Sequence, residues 1–149
     1  MTAFPPLPNE VSARTVPQLL RAAAEARSGH TALVAHSLVE SSELSVSYGE
    51  LAERARRLAG ALGERDVAHG DRVAIMVTNA GSVEAHTAYH ATHMLGGINV
   101  PINTFYVERE LEYVLGFIEP AAIVFGSEFG PLVRRVLSCR APDHRRPGD

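Results

Sequence analysis

Residues 93–103 read HMLGGINVPIN, a sequence that predicts the last turn of a helix, a glycine stop and a short buried strand. Glycine is common just past a helix end because it enters the left-handed backbone region without a Cβ clash. The segment Ile98–Ile102 favours a strand, and a proline such as Pro101 is tolerated at a strand end or on an edge strand. We therefore expect a helix-to-strand crossing at mid-chain, with similar crossings on both sides.

The first part of the chain predicts an extended entry, a helix and a hairpin. Met1–Val11 contains three prolines and is typical of an extended segment, and Thr15 is placed to cap a helix that runs to about Arg27. The segments Thr31–Ala35 and Leu44–Tyr48 predict two strands, joined by the turn-prone segment Glu40–Glu43.

A second helix is predicted immediately after the hairpin. Ser47 and Glu50 have the spacing of a capping box, in which each side chain satisfies a backbone amide of the other residue. Apolar side chains then recur at steps of four, three and four, which is the spacing of one helix face, at Leu51, Ala55, Leu58 and Leu62.

The second half alternates between predicted strands and helices. Gly70–Asp71 predicts a turn, and Arg72–Val77 is a continuous apolar run typical of a strand covered on both faces. The remaining predicted elements are a helix at Ser82–Leu95 with Asn79 as its cap, a helix at Val107–Ile118, a buried strand at Ala121–Phe125, and a helix from Ser127 or Glu128 to about Leu137. This order predicts an α/β fold with a mostly parallel sheet flanked by helices, to which the hairpin adds a mixed edge.

Composition excludes several classes of function. The formal net charge of −3 and the lack of a basic cluster before the tail argue against nucleic-acid binding. All 14 basic residues are arginine, which excludes Schiff-base chemistry and a P-loop lysine within this sequence. The single cysteine, the lack of a secretory pattern in Met1–Glu10 and the shortness of the apolar runs lead us to expect a cytoplasmic protein without a membrane span.

Three histidines are candidates for metal binding. His86, His90 and His93 fall at i, i+4 and i+7 and would align along one helix face. Imidazoles at i and i+4 can share a transition metal, but no HExxH glutamate and no nearby cysteine or acid completes such a site. The alternative is that the three histidines form a polar or partly buried helix face, and we predict this alternative and not a metal site.

Other candidate sites also have simpler structural explanations. The glycine pairs Gly60–Gly63 and Gly96–Gly97 follow helical runs, so they predict helix ends and not phosphate loops. Cys139 and His144 would make a nucleophile and a base, but both fall in a polar tail, which favours an exposed thiol. The carboxylates of Glu108, Glu110 and Glu112 fit the acidic first turns of a helix. We therefore predict no catalytic, cofactor-binding or metal-binding residue in this chain.

A set of motifs along the chain resembles the opening of the AMP-forming acyl-CoA synthetases, members of the adenylate-forming superfamily. The matching motifs are Ser45–Leu51, Arg57–Ala59 with Leu62, Gly70–Ile75, Asn79, Leu95–Gly96, Val100–Asn103, Glu110–Leu111 and Tyr113–Leu115. Their order and spacing resemble that family from about Thr15 to Val136. The resemblance implies the activation of a carboxylic acid with ATP and magnesium to an acyl-adenylate, followed by transfer of the acyl group to coenzyme A.

The resemblance covers only the first subdomain of that family. The Ser/Thr/Gly-rich phosphate loop that ends in Pro-Lys-Gly, the aromatic-Thr-Glu motif, the ribose-binding aspartate and the adenylation lysine have no counterpart in these 149 residues. No functional residue of the family is therefore carried onto this sequence. Asp66 and His69 stand where the family often has glycine and proline, and Phe105 stands where it often has arginine.

We expect three regions: an extended segment at residues 1–14, a partial AMP-binding subdomain at 15–137 and an irregular polar tail at 138–149. The tail lacks a strand pattern, which suggests a reading frame that ends early or shifts near Val136. The leading hypothesis is an acid–CoA ligase-like fragment that is inactive alone and whose acid substrate is unspecified. The alternatives are an interaction module, which associates with a separately encoded remainder, a related synthetase or itself, and a His-dependent metal binder.

Overall fold

The computed structural model describes residues 15–37, 42–78 and 81–139. Its elements in chain order are α1 (Val16–Arg27), β1 (Thr31–Ser37), β2 (Ser42–Ser47), α2 (Tyr48–Gly63), β3 (Arg72–Met76), α3 (Ser82–Met94), β4 (Ile98–Pro101), α4 (Glu108–Ile118), β5 (Ala122–Phe125), a 3₁₀ turn (Ser127–Phe129) and α5 (Gly130–Cys139). The predicted entry segment, the Asn79 cap, part of the hairpin turn and most of the tail lie outside the described residues.

The central element is β3, which lies between β4 and β5 in a three-stranded parallel sheet. Arg72 is in register with Ile98 of β4, and Val73 is in register with Ala122 of β5. Strands that alternate with helices along the chain pair in parallel because each helix returns the chain to the same end of the sheet. The predicted α/β class with a parallel sheet is therefore confirmed.

Side chains of β3 alternate between two separate cores. Val73 and Ile75 pack with residues of α2 and α3 on one face of the sheet. Ala74 and Met76 pack with residues of α4 and α5 on the other face. Because all four of these side chains are buried, the continuous apolar run of the sequence is confirmed as a strand covered on both faces.

Three details of the predicted sheet are wrong. The strand β4 lies at an edge of the described sheet, as Pro101 allowed, but its Ile98 is 51% exposed, where a buried strand was expected. The strand β5 forms the opposite edge and is only partly buried. The hairpin β1–β2 forms its own antiparallel sheet and does not extend the parallel one. It packs against α1, α2 and α3 in a third core that contains Leu20, Val46 and Val83.

The predicted capping box at the start of α2 is confirmed. The backbone N–H of Glu50 donates to Ser47 Oγ at 3.2 Å, and the backbone N–H of Ser47 donates to Glu50 Oε2 at 2.8 Å. The bond from the Ser47 amide holds the pKa of the Glu50 carboxyl below its usual range. The buried stripe of α2 is Leu51, Ala55, Ala59 and Leu62, whereas the predicted Leu58 is only partly buried.

The crossing from α3 to β4 uses both of its glycines. Gly96 has φ +69°, and a Cβ at that position would lie 2.5 Å from the imidazole Cδ2 of His69. A Cβ on Gly97 would lie 3.1 Å from the carbonyl oxygen of Asp71. The next amide, that of Ile98, donates to this same oxygen at 2.7 Å and thereby joins β4 to the start of β3. The two glycines therefore let the chain turn tightly enough to bring β4 against β3.

Replacement of Gly96 by alanine is expected to lower the free energy of unfolding by about 1–2 kcal/mol, the cost of a left-handed conformation for a residue with a Cβ. The matched control is Gly60→Ala, because Gly60 lies in α2 and its added Cβ would meet open space. That control is expected to raise stability by up to about 1 kcal/mol. Urea unfolding measures both variants, and equal effects would contradict this account of the crossing.

Candidate functional site

The helix α3 carries the three candidate histidines, but their rings have different surroundings. The Nδ1–H groups of His86 and His93 donate to the carbonyl oxygens four residues earlier, on Ser82 and Tyr89, each at 2.8 Å. The Nδ1 atom of His90 is buried and is the one buried side-chain nitrogen or oxygen in the described residues that lacks a hydrogen-bond partner. The three rings are therefore not equivalent.

Tyr89 contacts two of these rings, those of His90 and His93, and forms an aromatic ridge with them. Its ring centroid lies 4.3 Å from that of His93 in a tilted arrangement and 5.2 Å from that of His90 in an edge-to-face arrangement. Both His86 and Tyr89 line grooves on the two sides of α3. The outer face of α3 is thus a ridge between two grooves.

The first groove runs between α3 and the open edge of the parallel sheet. It has a volume of about 660 Å³. Its floor includes Ile75, and its far wall is formed by β4 residues Ile98, Asn99 and Pro101. The groove is mostly apolar because side chains such as Ile75, Ala85 and Ile98 line it.

The second groove, which we call the α1 cleft, lies between α3, α1 and the hairpin. It has a volume of about 480 Å³. Apolar side chains of α1, β1 and α2 form most of its walls, and His90 of α3 also lines it. The cleft is therefore mostly apolar, and the imidazole of His90 is among its lining side chains.

The pKa of His90 is lowered from its ordinary value. Burial is the largest cause, because a charged imidazolium loses hydration there, and the neighbouring His86 and His93 add repulsion when they are protonated. His90 is consequently held neutral around pH 7. Burial and charge repulsion act in the same direction and oppose protonation of this ring.

The geometry gives no support to the metal hypothesis. In the described ranges, no group of three or more His, Cys, Asp or Glu residues is placed to hold a metal ion. The sequence correctly predicted that His86, His90 and His93 lie on one helix. Side chains spaced along a helix do not, however, bring three nitrogens to a common point.

The glycine pairs serve as parts of helices. Gly60 lies within α2, and Gly63 is its last residue. The amide of Gly96 donates to the carbonyl of His93, and the amide of Gly97 donates to the carbonyl of Thr92. These amides are already used to close a helix, so neither pair presents a phosphate loop.

The three acidic side chains at the start of α4 differ in their contacts. Glu108 Oε2 accepts from Arg135 Nε at 2.9 Å and ties α4 to α5. Glu110 Oε2 accepts from the backbone N–H of Val107 at 3.1 Å and caps the helix. Glu112 is exposed on the surface of α4. The interpretation of these carboxylates as a helix start is supported by the contacts of Glu108 and Glu110.

Cys139 is an exposed free thiol and ends α5, which runs two residues past the predicted end of this helix. His144 lies outside the described residues, so its suggested pairing with this thiol is not tested. In the part of the chain that the structure describes, no helix is both long enough and apolar enough to cross a membrane.

Sequence reasoning missed a group of exposed aromatic side chains. Phe105 is 89% exposed, Phe117 is 80% exposed, and Tyr113 lies one helical turn before Phe117 on α4. Helical periodicity identified the inward residues Leu111 and Leu115, which are buried as expected. Tyr113 and Phe117, at i and i+4 on the opposite face of α4, form the sequence pattern that could have predicted an apolar outer surface.

Comparison with known proteins finds similarity over most of the chain. Residues 20–146 match the family model described as AMP-binding enzyme. The 3-oxocholest-4-en-26-oate–CoA ligase of Rhodococcus rhodochrous is 36% identical over 92 residues, which are 62% of this chain and 16% of that protein. The long-chain-fatty-acid–CoA ligase FadD13 of Mycobacterium tuberculosis is 29% identical over 102 residues, which are 68% of this chain and 20% of that protein.

Solved structures show the same relationship in three dimensions. The N-terminal domain of FACL13 from Mycobacterium tuberculosis superposes with a TM-score of 0.68 at 25% identity. The match covers 88% of this chain and 31% of that one. The chain therefore spans about a sixth to a fifth of the length of the two ligases above and under a third of this solved domain.

We expect His90 to titrate below the roughly 6.5 of an unperturbed histidine. Substitution of His86 by glutamine is expected to raise this pKa, because one repelling charge is lost while burial remains. His36→Gln, on the hairpin outside the α1 cleft, is the matched control and should leave the His90 titration unchanged.

The lowered pKa of His90 also makes the free energy of unfolding depend on pH. Since the unfolded chain binds the His90 proton more readily, the free energy of unfolding should fall as the pH drops below about 6.5. Nuclear magnetic resonance titration of the ring measures the pKa directly. A pKa at or above 6.5 would show that the ring is not buried as described, and no response to His86→Gln would show that His86 does not repel it.

Proposed function

Because this chain belongs to the AMP-binding enzyme family, we propose that it supplies the N-terminal scaffold of an AMP-forming acid–CoA ligase and does not adenylate an acid by itself. The proposed activity of the complete enzyme is the activation of a carboxylic acid with ATP and magnesium, followed by transfer of the acyl group to coenzyme A. The chain's own part is to support the region where this chemistry takes place.

One observation carries the proposal: the residues responsible for the family resemblance are occupied in structural contacts. Ser47 and Glu50 cap α2, and Gly96 ends α3. Val73 and Ile75 form part of a buried core. These contacts would be required in any member of the family whatever its acid substrate, which accounts for a recognisable scaffold without a reactive group.

The electrostatics of the chain agree with a supporting role. Nucleotidyl and phosphoryl transfer depend on donors and cations that hold the phosphates and offset their developing charge. The sequence contains no lysine, and the amides of Gly96 and Gly97 are used within the helix end. Arg56 and Arg57 are both bound to the carboxylate of Glu53 on the outer surface of α2.

A second proposal is that the chain acts as an interaction module, and the exposed aromatic side chains favour it. Phe105, Tyr113 and Phe117 are largely exposed on and next to α4, although burial of such rings is strongly favourable. The strands β4 and β5 each have one edge without a strand neighbour in the described residues. Open strand edges and apolar faces both promote association with another chain. The proposed partner is a separately encoded remainder of the enzyme or a related synthetase.

The purified 149-residue chain is expected to show no carboxylate-dependent exchange of pyrophosphate into ATP. The reason is that the sequence contains neither a lysine nor the Ser/Thr/Gly-rich phosphate loop that adenylation would use. A panel of short, medium and long carboxylic acids with ATP and magnesium provides the assay, and a full-length acid–CoA ligase provides the positive control. Exchange above the no-acid background would refute the supporting role.

The same assay separates the two proposals. The chain is co-expressed with a polypeptide that carries the remaining part of an acid–CoA ligase, and the complex is recovered by a tag on the chain. Restored exchange together with co-purification favours the interaction module. If the chain is folded but neither co-purifies nor restores exchange, the interaction proposal is wrong, and the scaffold is competent only as part of one polypeptide.

A further inference from the structure

The two outer strands of the parallel sheet differ in what their free edges offer. On β4, the amides of Ile98 and Ile102 donate to carbonyl oxygens on the β3 side at 2.7 and 2.8 Å. Because successive peptide groups of a strand point to opposite sides, Asn99 and Pro101 direct their backbone polar groups outward. Proline has no N–H to donate and is a common obstacle to pairing at a sheet edge. The outer edge of β4 is therefore a poor template for another strand.

The outer edge of β5 carries no such obstacle. The amide of Gly126 donates to the carbonyl oxygen of Met76 at 3.0 Å, and Phe125 is in register with Met76. The same alternation then directs the N–H and C=O groups of Ile123 and Phe125 away from β3. No strand of the described residues lies on that side of β5. Both residues therefore offer a backbone donor and a backbone acceptor to an added strand.

The side chains of β5 also leave apolar surface uncovered. All four are apolar yet only partly buried, whereas β3 buries every side chain after Arg72. Ala122 and Val124 pack against the core on one face of the sheet, and Ile123 and Phe125 pack against the core on the other. An added strand with apolar side chains on both faces would bury this surface further, and that burial stabilises the pairing.

The handedness of the crossovers fixes where a further parallel strand belongs. On one face of the sheet α3 carries the chain from β3 to β4, and on the other face α4 carries it from β4 past β3 to β5. Because crossovers are right-handed, helices on one face always move the chain in the same direction. Val133 and Val136 of α5 pack on the same face as α4. A parallel strand that follows α5 in this topology therefore lies beside β5, at its open edge.

Three sources could supply such a strand, and two of them fit poorly. Residues 140–149 include two prolines, no β-branched residue and no Phe, Tyr or Trp, a composition that disfavours a strand. A second copy of the chain would pair its β5 edge antiparallel, because a twofold axis relates the two copies. The third source is the remaining part of a ligase, since more than two thirds of the solved domain of FACL13 lies outside the match to this chain.

We propose that the outer edge of β5 binds a parallel, apolar β-strand from the separately encoded remainder of an acid–CoA ligase. The backbone groups of Ile123 and Phe125 pair with this strand, and its side chains extend the two cores of the sheet. The inference rests on the interaction module proposed above. It names β5, and not β4, as the edge on which the partner docks.

The test mixes the full 149-residue chain with the part of the 3-oxocholest-4-en-26-oate–CoA ligase of Rhodococcus rhodochrous that follows its matched region. We expect hydrogen exchange at the amides of Ile123 and Phe125 to slow about tenfold or more in the complex, because both amides become hydrogen-bonded. The amide of Asn99, at the outer edge of β4, should exchange at an unchanged rate. Nuclear Overhauser contacts across the new strand pair should report a parallel direction.

A pair of variants isolates the backbone contribution of β5. Ile123→Pro removes an N–H that faces away from β3, and proline is tolerated at such an edge position. This variant should weaken the complex about tenfold or more, because a donor is lost and the ring obstructs the added strand. Ile123→Ala is the matched control, because it also loses the isoleucine side chain but keeps the N–H. The control should bind within about threefold of the unmodified chain.

A complex in which neither β5 amide slows would overturn the docking site and leave the interaction module standing, as would equal weakening by the two variants. An antiparallel direction would also overturn it, and slowing caused by concentrating the chain alone would identify a second copy as the occupant. Failure of the complex to form would overturn both the docking site and the interaction module. If Ile123→Pro does not fold, amide exchange in the unmodified chain still decides the question. None of these measurements depends on catalysis, so their outcome is separate from the pyrophosphate-exchange assay.

Discussion

The structure depends on the burial of β3 from every side. This strand is paired with β4 along one edge and with β5 along the other, and its side chains pack into two cores on opposite faces. Each of the helices α2, α3, α4 and α5 contributes to one of those cores, so one strand organises most of the described chain. The hairpin and α1 pack in a third core, which is joined to the rest through α2 and α3. Loss of β3 would therefore remove the surface on which both layers of helices rest.

Local patterns in the sequence were enough to predict the elements but not the order of the strands. The capping box at Ser47 and Glu50, the continuous apolar run of β3 and the glycine stop at Gly96 all depend on residues close together in the chain, and the structure confirms them. The positions of β4 and β5 at the two edges depend on long-range pairing, which periodicity does not encode. A short apolar strand such as β4 has the same pattern whether it is central or at an edge. For the same reason the hairpin was wrongly attached to the parallel sheet.

The candidate sites show the same division between local and long-range information. Spacing placed His86, His90 and His93 on one helix, yet it could not distinguish the two rings that bond to the backbone from the one that does not. That difference depends on the orientation of each ring in the folded chain, which spacing does not encode. The family, by contrast, was predictable because its motifs in this chain are structural, and such motifs are local by nature. The motifs of the chain therefore identify its fold and its family.

Native-state hydrogen exchange of the backbone amides tests most directly whether β3 organises the molecule. The account predicts that the amides of Val73, Ala74, Ile75 and Met76 exchange only through global unfolding. Their exchange free energy should then equal the unfolding free energy from urea denaturation, and the amides of the β1–β2 hairpin should exchange sooner. Exchange of the β3 amides at the rate of the hairpin, or slower exchange in the hairpin than in β3, would contradict it.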